Sequence, residues 1–95
     1  MKKISLQEAK NVAGKLKVNL NIIPLKVFRD AMVIELEHGK KYGKLTNVTN
    51  DNLLLTGKIA LAHLIEYPDY YTRLEKMENK ADRYWSTKVK PNILL

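Results

Sequence analysis

The stretch Leu53-Leu54-Leu55-Thr56-Gly57-Lys58-Ile59-Ala60-Leu61-Ala62-His63-Leu64-Ile65-Glu66 constrains this chain more than any other. Wound as a helix it is apolar nearly all round, so other elements have to cover it on most sides. It falls short of the ~18 consecutive apolar residues that a membrane span needs. The whole sequence has 95 residues, enough for one domain and too few for a second core. The helix over 52–66 is therefore expected at the centre of a single small domain, as its most buried element.

The rest of the sequence supplies helices to surround it. Ser5-Leu6-Gln7-Glu8 forms a capping box, in which the serine and the glutamate each satisfy the other's backbone N–H. Behind it Leu6, Ala9, Val12, Ala13 and Leu16 recur at helical spacing and predict a first helix over 6–17. Pro24 suits a helix start, and Phe28, Ala31, Met32 and Leu36 carry a second helix from 24 to Gly39 at 39. The connection over 40–52 is rich in turn formers, with Thr49 or Asp51 as caps for the third helix. After Tyr67-Pro68 a fourth helix is expected over 68–85, its inward side formed by Tyr71, Leu74, Met77 or Glu78, Ala81 and Trp85. The expected fold is all-α, a compact bundle of about four helices spanning one domain over 1–95, with an extended tail over 86–95.

Several function classes fall away on composition. Without cysteine there are no disulfides, thiolate metal sites or thiol nucleophiles. Met1-Lys2-Lys3-Ile4-Ser5 leads into no apolar h-region, so no signal peptide is expected, and the expected location is the cytoplasm, or a virion if the source is viral. The net charge is +7. Its lysines are spread along the chain, with no arginine cluster and no helix-turn-helix pattern, so a solvated basic surface is the main reading and nucleic-acid association the lesser one. No phosphate-binding glycine loop, nucleophile elbow or dinucleotide fingerprint occurs, and an enzyme is not expected.

The chain has two histidines, and each stands three residues from a glutamate: Glu35 with His38 on the second helix, and His63 with Glu66 on the third. Residues at that spacing share a helix face. Glu35 and His38 also continue the core-facing stripe of Phe28, Ala31 and Met32. Two readings follow. If the helices lie antiparallel, Glu35, His38, His63 and Glu66 can converge on one zinc, iron or manganese ion, with Glu37, Asp69 and Tyr70 in reserve around it. Alternatively the glutamates accept hydrogen bonds from the histidines, a tyrosine hydroxyl or the Thr46–Asp51 loop and form a structural network. Tyr70 is the tyrosine expected to reach them, and Tyr71 is expected in the core. An unpaired buried carboxylate costs several kcal/mol, so the core must satisfy these groups one way or the other. The network is the favoured reading.

Four segments together resemble a known but uncharacterised family of small helical proteins, a domain of unknown function found in bacteria, phages and large DNA viruses. They are Val33-Ile34-Glu35-Leu36-Glu37-His38-Gly39, Thr46-Asn47-Val48-Thr49-Asn50-Asp51, Thr56-Gly57-Lys58-Ile59-Ala60-Leu61-Ala62-His63-Leu64 and Pro68-Asp69-Tyr70-Tyr71-Thr72-Arg73-Leu74. The resemblance covers residues 5–80 and departs from the family pattern after Asp51, where Asn52-Leu53 replaces an acidic-proline pair. It implies the helical fold and draws attention to the Glu–His segments, and it implies no activity. A sequence rich in Lys, Asn and Ile also suits an AT-rich genome, phage or viral ones included. The function expected from all this is a small non-enzymatic binding protein engaging a protein partner or a second copy of itself. Its apolar end, Ile93-Leu94-Leu95, packs back on the domain or docks on that partner.

Overall fold

Ser5 starts the first helix as its sequence predicts: its Oγ accepts from the Glu8 N–H at 3.0 Å, and Glu8 Oε1 accepts from the Ser5 N–H at 3.0 Å. The computed structural model describes residues 3–93. Among these residues it has four α-helices and no strand: α1 (Leu6–Leu16), α2 (Leu25–Glu35), α3 (Leu53–Glu66) and α4 (Tyr70–Trp85). None of them is long and apolar enough to cross a membrane.

The second helix stops short of its expected end. Its α-helical part closes at Glu35, and the chain tightens into 3-10 turns at Leu36–His38, Lys40–Tyr42 and Lys44–Thr46. Gly39 does not adopt the left-handed conformation of a helix terminator (φ −100°, ψ −138°). It is needed for close approach, because a Cβ at this position would collide with the Asp51 carboxylate. That carboxylate accepts the Lys40 N–H at 3.0 Å. Asp51 thus latches the loop rather than capping α3. The cap is Asn52, whose Oδ1 accepts from the Leu55 N–H at 3.0 Å.

The core lies between α1, α2 and α3. Ala9 and Ala13 on α1, and Gly57 and Ala60 on α3, are all buried, and these small residues let the backbones approach. A Cβ on Gly57 would run into Val12. Phe28 and Met32 of α2, both fully buried, fill the space that remains. Thr56 is buried as well, and its hydroxyl donates to the Asn52 carbonyl at 2.7 Å.

The expectation that α3 is buried all round is corrected. Thr56, Gly57, Ala60 and Leu64 form its buried side, whereas Leu55 is 43% and Ile65 74% exposed. Two helices, α1 and α2, cover one side of it, and α4 meets it only near their shared turn. α4 itself begins at Tyr70, two residues later than expected, and contributes no buried residue. Of its expected core stripe, Tyr71, Leu74 and Trp85 are half-buried, while Met77 and Ala81 face solvent. The molecule is accordingly elongated, at 43 × 27 × 22 Å. Ile93 does not pack back on the domain and is 89% exposed; Leu94 and Leu95 lie outside the described residues.

Candidate metal centre at the junction of α2, α3 and α4

Glu35 ends α2 on the same side as Phe28, Ala31 and Met32, so helical periodicity carries a carboxylate into the core; its side chain is 3% exposed. Charge at such depth has to be met by hydrogen bonds or by opposite charge. The meeting groups come from α3, α4 and the 3-10 turn that follows α2. Tyr71, in the first turn of α4, donates its hydroxyl to Glu35 Oε2 at 2.6 Å. His38 Nε2 lies 3.2 Å from Oε1, and His63 Nε2 of α3 lies 3.8 Å from Oε2. Burial pushes the Tyr71 phenol well above its usual range, and the adjacent Glu35 carboxylate adds to the effect. The phenol therefore keeps its proton and serves as a donor.

The two imidazoles are held in different ways. His38 sits in the 3-10 turn after α2, and its carbonyl accepts the N–H groups of Val48 (2.7 Å) and Thr49 (3.1 Å). The returning loop thus fixes the backbone that carries the ring. His63 is held by rings: Tyr70 stacks on it at 4.2 Å between centroids and 13° between planes, and Tyr71 meets its edge at 6.2 Å. Both histidines keep an open side, with side chains 43% and 31% exposed. Glu37 completes the group from the solvent side, its Oε1 3.5 Å from His38 Nε2. Glu35, Glu37 and His38 each offer a ligand atom within 4.8 Å of the others.

Glu35, His38 and His63 are brought together as the two Glu–His motifs suggest, and Glu37 joins them. Glu66 does not. A three-residue step along a helix turns the side chain back by about 60°. With His63 already at the margin of the buried side of α3, that step puts Glu66 on the solvent side, exposed. Asp69 also lies apart from the cluster, and both its oxygens accept from Arg73 Nε at 3.1 Å. The roles of the tyrosines are exchanged relative to expectation: Tyr70 stacks on His63, and Tyr71 supplies the hydroxyl to Glu35. The signal for this is the start of α4. A helix that begins at Tyr70 turns Tyr71 toward α2, and its place at the head of a stripe continued by Leu74 already marked it as inward-facing.

Together these features define a small helical protein with a buried carboxylate flanked by two solvent-accessible imidazoles. The chain belongs to the family described as "Protein of unknown function (DUF5661)", whose model matches residues 9–80. The match takes in every residue of this cluster. No curated protein and no solved structure matches the chain.

Proposed function

We propose that the chain is a metal-binding helical protein whose site is built on Glu35 and His38, completed by His63 and Glu37. One observation carries the reading: the two oxygens of a buried carboxylate each face an imidazole Nε2, and both imidazoles remain open to solvent. Ligands bound at ~2.0–2.2 Å in tetrahedral or octahedral geometry stand roughly 3.0–3.5 Å apart. The Glu35–His38 separation of 3.2 Å lies in that range. His63 Nε2 stands farther off, 3.8 Å from Oε2 on a ring that Tyr70 stacks against, whereas Glu35, Glu37 and His38 offer ligand atoms within 4.8 Å of one another. Mixed nitrogen and oxygen donors without sulfur suit zinc, iron or manganese. The Tyr71 hydroxyl, bonded to Oε2, orients the carboxylate, the usual task of an outer hydrogen bond around a metal ligand.

The test is elemental analysis of protein purified without chelator, followed by titration with zinc, manganese and ferrous iron. The expected result is about one ion per chain, with the melting midpoint raised by roughly 10–20 °C when the metal stands about 100-fold above its Kd. His38→Ala removes a half-exposed side chain, so it is expected to leave the helical content intact and abolish the shift. Absence of stoichiometric metal together with no thermal shift for any of the three ions overturns the proposal.

A further inference from the structure

The exposed half of α4 repeats its apolar residues with a second period. Tyr70, Leu74, Met77, Ala81 and Tyr84 alternate at four and three residues, the spacing of a coiled-coil seam. Beyond Leu74 the molecule's own core does not cover this seam: Met77 is 60% and Tyr84 53% exposed. Ala81 is exposed and borders a groove of about 530 Å³ that Glu78 and Asp82 line as well, together with Ile34, Lys41, Tyr42 and Lys90 of the same chain.

The flanks of the seam differ in sign. Arg73, Lys76, Lys80 and Arg83 line one side, and Glu75, Glu78 and Asp82 the other. Along the helix this places like charges four apart, Lys76 with Lys80 and Glu78 with Asp82, an arrangement that destabilises an isolated helix. Among the described residues, Lys76, Lys80, Arg83, Glu75, Glu78 and Asp82 form no ion pair, although Arg73 is held by Asp69.

We propose that α4 pairs in parallel with α4 of a second copy of this chain. In a parallel pair the two flanks of the seam face each other across the interface, so the basic flank of each helix meets the acidic flank of the other. Arg73 then stands opposite Glu78 of the second copy, and Lys80 opposite its Trp85 ring, a cation–π arrangement. An antiparallel pair would set basic flank on basic flank. Charge complementarity thus selects both the occupant of the seam and its direction. The pairing rests on the spacing and charge of α4 and not on a bound metal, although seam and site meet at Tyr70, which stacks on His63.

Sedimentation of the full-length chain over a range of concentrations tests this. The wild type is expected to pass from monomer to dimer. Arg73→Glu and Glu78→Lys, each placing like charges opposite each other twice in the symmetric pair, are each expected to weaken association about 10-fold or more. The double variant is expected to recover to within about 3-fold of wild type. That recovery separates an intermolecular contact from a local effect of losing the Asp69–Arg73 pair, which Glu78→Lys does not mend. Circular dichroism confirms that the helix persists in each variant. A wild type that stays monomeric at about 0.2 mM, well above a typical micromolar Kd, overturns the proposal. So does a dimer tightened by Arg73→Glu, the signature of antiparallel pairing, or a dimer indifferent to all three variants.

Discussion

α2 and α4 both carry apolar side chains at three- and four-residue spacing, and the molecule treats them differently. α2 buries Phe28, Ala31 and Met32 almost completely, whereas α4 buries nothing. Periodicity marks which side of a helix is apolar; whether anything covers that side depends on what the neighbours present. α1 and α3 present Ala9, Ala13, Gly57 and Ala60, small enough for α2 to approach closely. No comparable surface faces the distal part of α4. That helix is held mainly at its first turn, where the Tyr71–Glu35 hydrogen bond and the stack of Tyr70 on His63 join it to α2 and α3. The molecule is a three-helix body with a fourth helix fastened by polar and aromatic contacts at one end.

The sharpest way to break this contrast is to remove packing from the body. Phe28→Ala is expected to cost about 3–5 kcal/mol, a large share of the ~5–15 kcal/mol available to a domain of this kind. Chemical denaturation followed by circular dichroism measures it. A cost below about 1 kcal/mol would mean that the α1–α2–α3 interface is not the core.

Cutting the fastening should have a smaller and more local effect. Tyr71→Phe keeps the ring and removes the hydroxyl from Glu35 Oε2, leaving the carboxylate to the histidines. A hydrogen bond to a charged group is worth about 1.5–3 kcal/mol, and that is the expected loss. Its location is the sharper readout. Amide exchange should quicken in α4 at low denaturant while the amides of α1 and α2 stay protected. Equal quickening in all four helices would show that α4 is integral to the body.

The uneven legibility of the sequence has the same origin. Four helices and the Ser5–Glu8 box follow from local spacing, because each is settled within a turn or two of the chain. The approach of Glu35, His38 and His63 was readable too, since Glu35 continues a core-facing stripe and two histidines leave little choice of partner. What escaped depends on where an element begins and on what lies opposite it. Starting α4 at Tyr70 instead of Pro68 exchanges the tasks of the two tyrosines. The margin of the buried side of α3 decides between His63 and Glu66. The exposure of Leu55 and Ile65 depends on how many helices reach α3, which its own composition does not state. Gly39 reads as a helix stop, and only the return of the loop shows that it makes room for the Asp51 carboxylate.

The smallest effect is the one that most directly tests whether the distal part of α4 belongs to the body. Met77 lies on the apolar side of its helix, and by spacing alone it has the standing of Met32 on α2. If the core covered Met77, replacing it with glutamine would bury an amide without partners and cost some 1–3 kcal/mol. At 60% exposure the amide stays in water, and Met and Gln have similar helix propensities. Met77→Gln is therefore expected to change stability by no more than about 0.5 kcal/mol when measured on dilute protein, where association contributes nothing. Met32→Gln, at a side chain with no exposure, should cost several times as much. Denaturation midpoints of the two variants side by side decide the matter: equal losses would place both methionines in one core, and unequal losses leave α4 an appendage whose apolar side is free for other use.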